Sequence, residues 1–276
     1  MSFETIEQLV ELPPFSVPAL IYHADSPRCL VILLPAMGTA AGFYGPFAEQ
    51  LAGRNVSVLV PELPGTGTSH PRPSWSADYG YRDLIETYFP AVVAKAREMA
   101  AGVPVVVIGH SLGAQVATLG LAGGIAAIDG LISVASGHIH YENWDGAAAV
   151  KVLFGSVLFP SLTYFLGHMP GQYFGFGGPQ ARTLIRDWAK IIRSGGLSHI
   201  APQLDPPDSV PSLFIGFEGD DFSPPKSVSG LAELLSGQMK ILPVNWPGNP
   251  HSSWARNPSE LTQIVGDWLE ENQLAT

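Results

Sequence analysis

A series of short, almost wholly apolar runs separated by helical patterns constrains the fold of this chain more than any other feature. The runs 28–34, 57–60, 103–108, 130–135 and 211–217 have the length and composition of buried strands, and 240–244 reads as a further strand. Helical patterns at 43–54, 81–101, 114–122, 227–235 and 258–271 fill the intervals, the second of them interrupted or kinked at Pro90. Strands alternating with helices predict an α/β fold, with a mostly parallel central sheet and helices on both faces. In such sheets the functional groups gather at the carboxyl ends of the strands.

The alternation breaks between His138 and about Ile200, where no run resembles a sheet strand and aromatic residues crowd together, from Trp144 and Phe154 to Phe176 and Trp188. This segment reads as a mainly helical cap insertion, 138–200, on a core made of 1–137 and 201–276. Composition agrees with a large apolar interior: 46% of the 276 residues are hydrophobic and 14% charged, against roughly 25% charged in ordinary soluble chains. Between Lys151 and Arg182 there is no Asp, Glu, Lys or Arg at all. Pro160, Pro170 and repeated glycines interrupt this stretch, so no membrane span is expected, since a span needs about 20 continuous apolar residues. The aromatics either pack the cap onto the core or receive an apolar substrate, and the sequence leaves both readings open.

Several function classes are excluded early. A net charge of -10 with 14 basic residues and no basic run cannot neutralise a phosphate backbone, so no nucleic acid is expected. Cys29 is the only cysteine, which excludes an intrachain disulfide and a cysteine-based zinc site. His138 and His140 form no metal site with a clustered carboxylate or thiol, and Gly65-Thr66-Gly67 lacks the third glycine of a dinucleotide fingerprint. Neither a metal nor another cofactor is expected. Glu4, Glu7 and Glu11 stand where a signal peptide would need a basic flank and an apolar run, which predicts a cytoplasmic protein. Oligomeric state stays open, a homodimer included.

The sharpest chemical signal directly follows the run ending at Ile108: Gly109-His110-Ser111-Leu112-Gly113, and then a helix. A serine forced into a tight strand-to-helix turn needs small neighbours two residues away on either side, and its hydroxyl then stands exposed above the sheet. The Leu112 N–H, at the positive end of the next helix, is free to donate to a developing oxyanion. His110 adjoins the serine and should point away from it.

A nucleophilic serine needs a base and a group to orient it. His251 is the only histidine beyond the last strand, in the loop before the final helix. Asp220 and Asp221 both follow the run ending at Phe217, and their spacing to Pro224 and Pro225 does not separate them. Either carboxylate would hold the second ring nitrogen of His251 and stabilise the imidazolium.

These motifs resemble those of the α/β-hydrolases, and the likeness extends over nearly the whole chain. Leu33-Leu34-Pro35-Ala36-Met37-Gly38 occupies the place of the family's oxyanion segment, which more often reads His-Gly. Pro64-Gly65-Thr66-Gly67-Thr68-Ser69 resembles the family's loop after the next strand, and Gly109 to Gly113 its serine elbow. The acid loop from Phe217 to Pro225 and the cap stretch from Gly167 to Gly177 are similar to an uncharacterised bacterial branch, in which the catalytic aspartate aligns with Asp220. The resemblance implies an α/β-hydrolase fold with Ser111, Asp220 and His251 as catalytic residues and the Met37 and Leu112 N–H groups as oxyanion hole. Only a backbone amide is needed, so Ala36 in place of glycine does not abolish the hole. Ser111 also sets the chain apart from the haloalkane dehalogenases and epoxide hydrolases, which carry aspartate at the elbow.

The expected function is hydrolysis of carboxylic esters of a small or medium apolar substrate through an acyl-enzyme. No residues are singled out for substrate binding. An acyltransferase or thioesterase would use the same three residues, and a non-catalytic ligand receptor on this fold is a third reading.

Overall fold

The computed structural model describes residues 3–201, 203–207 and 210–275, so the outermost positions of the expected core, 1, 2 and 276, lie outside it. Ten strands and the helices between them run in the order β1 (Phe3–Leu12), β2 (Phe15–Tyr22), β3 (Cys29–Leu34), α1 (Gly45–Ala52), β4 (Val56–Pro61), α2 (Tyr81–Asp83), α3 (Phe89–Met99), β5 (Val105–His110), α4 (Leu112–Ala122) and β6 (Gly130–Val134). There follow α5 (Gly146–Leu166), β7 (His168–Pro170), β8 (Pro179–Ala181), α6 (Arg182–Ser194), β9 (Ser212–Phe217), α7 (Pro225–Ala232), β10 (Gln238–Leu242), α8 (Pro250–Ser253) and α9 (Ser259–Glu271). Eight strands form one sheet in the order β1-β2-β4-β3-β5-β6-β9-β10. From β4 to β10 all neighbours are parallel; β1 and β2 add an antiparallel edge.

The central apolar runs are apolar because each serves two cores, whereas β10 at the sheet edge is largely exposed. Along β5, Val105 and Val107 face a cluster with Phe89 and Val92 of α3 and Val116 of α4, while Val106 and Ile108 face Phe47 of α1 and Val265 and Trp268 of α9. β3 divides in the same way, Leu30 and Ile32 to one side and Val31 and Leu33 to the other. Each fully buried Val, Leu or Ile contributes roughly 1.5–3 kcal/mol. Cys29 belongs to this core and is buried. The two-sided burial is the α/β architecture that the alternation predicts.

Four local features differ from the sequence expectation, the last of them at Pro160. The hairpin β1–β2 has no counterpart in it, because β1 is exposed along much of its length and its register shifts between Ile6 and Val10. The helix at 81–101 is irregular just before Pro90 rather than at it: residues Leu84–Tyr88 widen into π-type turns before α3 begins at Phe89. The segment 138–200 is mainly helical but contains the two-stranded ribbon β7–β8.

Within that segment α5 runs 21 residues straight through Pro160, where an interruption was expected. Proline has no N–H for the Ser156 carbonyl, and the Arg193 guanidinium from α6 donates to that carbonyl instead. α5 is long and apolar enough by composition to cross a membrane. Its inner side is otherwise engaged, with Ala148, Ala149, Val152 and Leu153 packed against the core.

Candidate active site

β5 delivers Ser111 at the carboxyl edge of the sheet. Its backbone sits at φ 51° and ψ −115°, a conformation that side chains other than glycine rarely adopt. The Ser111 N–H donates to the Val134 carbonyl at 3.1 Å, and the Ser136 hydroxyl donates to the Ser111 carbonyl at 2.7 Å, so the turn is held from β6 and the residues after it. Both flanking glycines are required by contact: a Cβ on Gly109 would lie 2.3 Å from Ala114 Cα, and one on Gly113 2.4 Å from the Leu34 carbonyl oxygen.

His251 stands in α8, whose first turn is capped by the Asn249 side chain accepting the His251 N–H at 3.0 Å. Its Nε2 is 3.1 Å from Ser111 Oγ. Its Nδ1 is 2.9 and 3.2 Å from the two carboxylate oxygens of Asp220. Asp220 is buried and also accepts the Phe222 N–H at 2.8 Å, the Ser223 N–H at 3.3 Å and the Ser223 hydroxyl at 2.6 Å. Burial pushes its carboxyl up, but the hydrogen bond and charge interaction with His251, joined by the bonds from Ser223 and Phe222, outweigh burial and hold it below the usual carboxylate range. Asp221 is exposed, and its backbone carbonyl accepts the Trp144 Nε1–H at 2.7 Å.

Met37 and Leu112 line the same cavity as Ser111 and His251. Among the described residues, neither of their N–H groups has a hydrogen-bond acceptor. The loop after β4 braces this region from behind. Buried Glu62 accepts the Ala41 N–H at 2.9 Å and the Thr68 N–H at 3.1 Å, and a Cβ on Gly67 would fall 2.0 Å from its carboxylate. Gly67 is therefore the residue that lets that carboxylate sit inside the loop.

The cavity holds about 840 Å³. On one side lie Tyr81 and Gln115, the tyrosine hydroxyl donating to Gln115 Oε1 at 2.6 Å. On the other lie aromatic rings from 138–200: Phe159 is 5.1 Å from Phe174 and 5.9 Å from both Phe176 and Trp188, centroid to centroid. Phe222 bridges the two sides, its ring 5.0 Å from His251 and 6.4 Å from Phe176.

Of the five residues singled out from the sequence, Met37, Ser111, Leu112 and His251 thus meet at one cavity, and Asp220 lies buried behind His251. Others escaped notice: Tyr44, Glu62, Gln115 and Ser223 carry no motif of their own, whereas Asn249 before Pro250 had the pattern of a helix cap and could have been found. His110 turns from the serine into the protein, bonding Tyr44 and the His251 carbonyl. His138 bonds the Gly195 carbonyl at 2.9 Å, and the described residues hold no cluster of three or more metal-ligating side chains.

A sequence model of the alpha/beta hydrolase family matches residues 31–264. Among solved structures, a soluble variant of monoglyceride lipase from Saccharomyces cerevisiae has a TM-score of 0.70 at 14% identity, covering 96% of this chain and 95% of that one. A thermostable carboxyl esterase from Bacillus coagulans has 0.68 at 15%, covering 98% and 99%. A thermophilic esterase from Thermogutta terrifontis has 0.66 at 15%, covering 99% and 100%. Identities this low establish likeness of fold. No curated protein matches the chain in sequence.

Proposed function

The chain belongs to the alpha/beta hydrolase family, and from that premise we propose a serine-dependent hydrolase of carboxylic esters that works through an acyl-enzyme on Ser111. The observation that carries this reading is the unbroken line from Ser111 Oγ through His251 to buried Asp220, with contacts of 3.1 and 2.9 Å. Ser111 Oγ attacks the ester carbonyl while His251 Nε2 takes its proton, and Asp220 fixes the ring and stabilises the imidazolium. The carbonyl oxygen becomes an oxyanion held by the Met37 and Leu112 N–H groups. His251 returns the proton to the departing alcohol. Water, deprotonated by His251, then attacks the acyl carbon, and the carboxylic acid leaves as Ser111 regains its proton.

The segment 138–200 acts as a cap that covers this chemistry. Its rings give the cavity an apolar wall suited to the acyl or alcohol portion of a small or medium apolar ester, where water is excluded and the oxyanion interactions gain strength.

Ser111→Ala tests the reading with p-nitrophenyl butyrate. Loss of about 10⁴-fold or more in kcat from a folded variant is expected, and retained activity would overturn it. A thioester or acceptor alcohol that outcompetes simple esters and water would instead redirect the assignment to thioesterase or acyl transfer. A flat profile from butyrate to octanoate would remove the apolar-pocket part of the proposal.

A further inference from the structure

A buried line of hydrogen bonds leaves the site at the base and returns to it at the oxyanion segment. The Ala36 N–H donates to the Tyr44 hydroxyl oxygen at 2.9 Å. That oxygen is 2.8 Å from His110 Nδ1, and His110 Nε2 is 2.8 Å from the His251 carbonyl oxygen. The two ends fix the polarity, because a peptide N–H only donates and a carbonyl only accepts. His110 Nε2 therefore carries a hydrogen, Nδ1 accepts from the Tyr44 hydroxyl, and the Tyr44 oxygen takes the Ala36 N–H. This assignment requires a neutral ring. Burial, with the charge of His251 adding to it, pushes His110 down to about 3, and Tyr44 and His110 are both buried.

Ala36 directly precedes Met37, so the bond to Tyr44 fixes the peptide next to the amide that faces the cavity. The rest of the segment is constrained from other directions. Glu62 takes the Ala41 N–H at 2.9 Å, and the insertion presses from above, where a Cβ on Gly177 would lie 2.0 Å from the Gly38 carbonyl oxygen. Tyr44 itself is locked among rings, 5.8 Å from His110 and 6.0 Å from Trp254. An oxyanion donor is useful only if it already points at the place where charge develops. Here the sequence departs from His-Gly to Pro35-Ala36, and the orientation comes from a side chain outside the segment.

We propose that Tyr44 and His110 are positioning residues: the line Ala36–Tyr44–His110–His251 sets the direction of the Met37 N–H and locks it to the loop that carries the base. This rests on the reading of Ser111 as nucleophile and Met37 as oxyanion donor.

The test uses Tyr44→Phe, His110→Leu, the double variant and Ser111→Ala. It reads kcat and KM on p-nitrophenyl butyrate and the Ki of an alkyl trifluoromethyl ketone, whose serine adduct places an oxyanion in the hole. Each single variant should lose about 10- to 100-fold in kcat with KM within about twofold, and Ki should rise in proportion to the loss in kcat/KM. The double variant should be no more than about twofold worse than the poorer single one, because both cut the same line. Should one single variant fail to fold, the other reads the line from its opposite end. Wild-type kcat in a folded variant, a loss carried wholly by KM, an unchanged Ki, or losses that multiply in the double variant would each overturn the proposal. Activity in Ser111→Ala would bring down the function reading and this inference together; an inactive Ser111→Ala beside a fully active Tyr44→Phe would sink this inference alone.

Discussion

Asp220, buried behind His251, and Phe159, on the far wall of the cavity, flank the site from opposite sides. Asp220 takes three hydrogen bonds from its own loop besides its contact with His251, while the Phe159 ring meets other rings. The difference extends to their surroundings. The loops on the sheet hold Ser111 in a strained conformation between glycines that tolerate no added carbon, whereas 138–200 exposes Phe154, Tyr164, Phe165 and Tyr173 to solvent. Directional bonds specify one geometry and fail abruptly when one partner is lost. Aromatic contacts are graded, since rings can shift and refill space. The sheet side should therefore respond to substitution in large steps and 138–200 in small ones.

The largest step is expected at the acid. Asp220→Asn should lower kcat by about 10⁴-fold, as loss of the correct histidine tautomer does in serine hydrolases generally. Asp221→Asn, whose side chain is exposed, should stay within about twofold of wild type. Ester kinetics on the two variants would invert the comparison if Asp221 proved the costly one.

The next effect concerns pH. His110 titrates at about 3 in the folded chain, against about 6.5 for an unperturbed histidine. Between those values the unfolded chain binds more protons, so stability rises with pH through this window and falls as the pH drops. His110→Leu should flatten that slope by on the order of 1 kcal/mol per pH unit in denaturant titrations between pH 6 and 4. His138 in the insertion is also lowered by burial but only half-buried, and His138→Leu should flatten the slope less.

A steric contrast follows. Gly113→Ala drives a methyl group against the Leu34 carbonyl and should cost about 1–3 kcal/mol, read from the urea midpoint. Gly178 has nothing within reach of an added Cβ, and Gly178→Ala should stay within about 0.5 kcal/mol. A milder loss of activity than at Asp220 is expected from Phe159→Ala: KM for an octanoyl ester rises about 10-fold, the worth of one aromatic contact, while butyrate turnover changes little. A 10³-fold loss of kcat on butyrate would mean that the insertion is as rigidly specified as the sheet loops.

What the sequence discloses follows from how local each feature is. The parallel strands could be read because two-sided burial writes itself into consecutive residues such as Val105 to Ile108. Gly109 and Gly113 announce the tight turn within five residues. The choice between Asp220 and Asp221 was beyond spacing alone; it depends on a loop in which Ser223 and the Phe222 N–H turn one carboxylate inward. Tyr44 was illegible for a similar reason, since its partner His110 lies 66 residues away. Pro160 misled because the group that rescues its helix, Arg193, is on another element. The ribbon β7–β8 pairs only three residues on each strand, too few to leave a period.

Ser111, as the proposed nucleophile of a line ending at Asp220, should be the reactive serine of the chain. Peptide mapping by mass spectrometry after reaction with a fluorophosphonate would locate that serine. A single phosphonyl adduct on Ser111 is expected in the wild-type chain, with no adduct in Ser111→Ala and labelling slowed by orders of magnitude in His251→Ala. Labelling at another residue, or an unreactive Ser111 in a chain that still hydrolyses esters, would contradict that role.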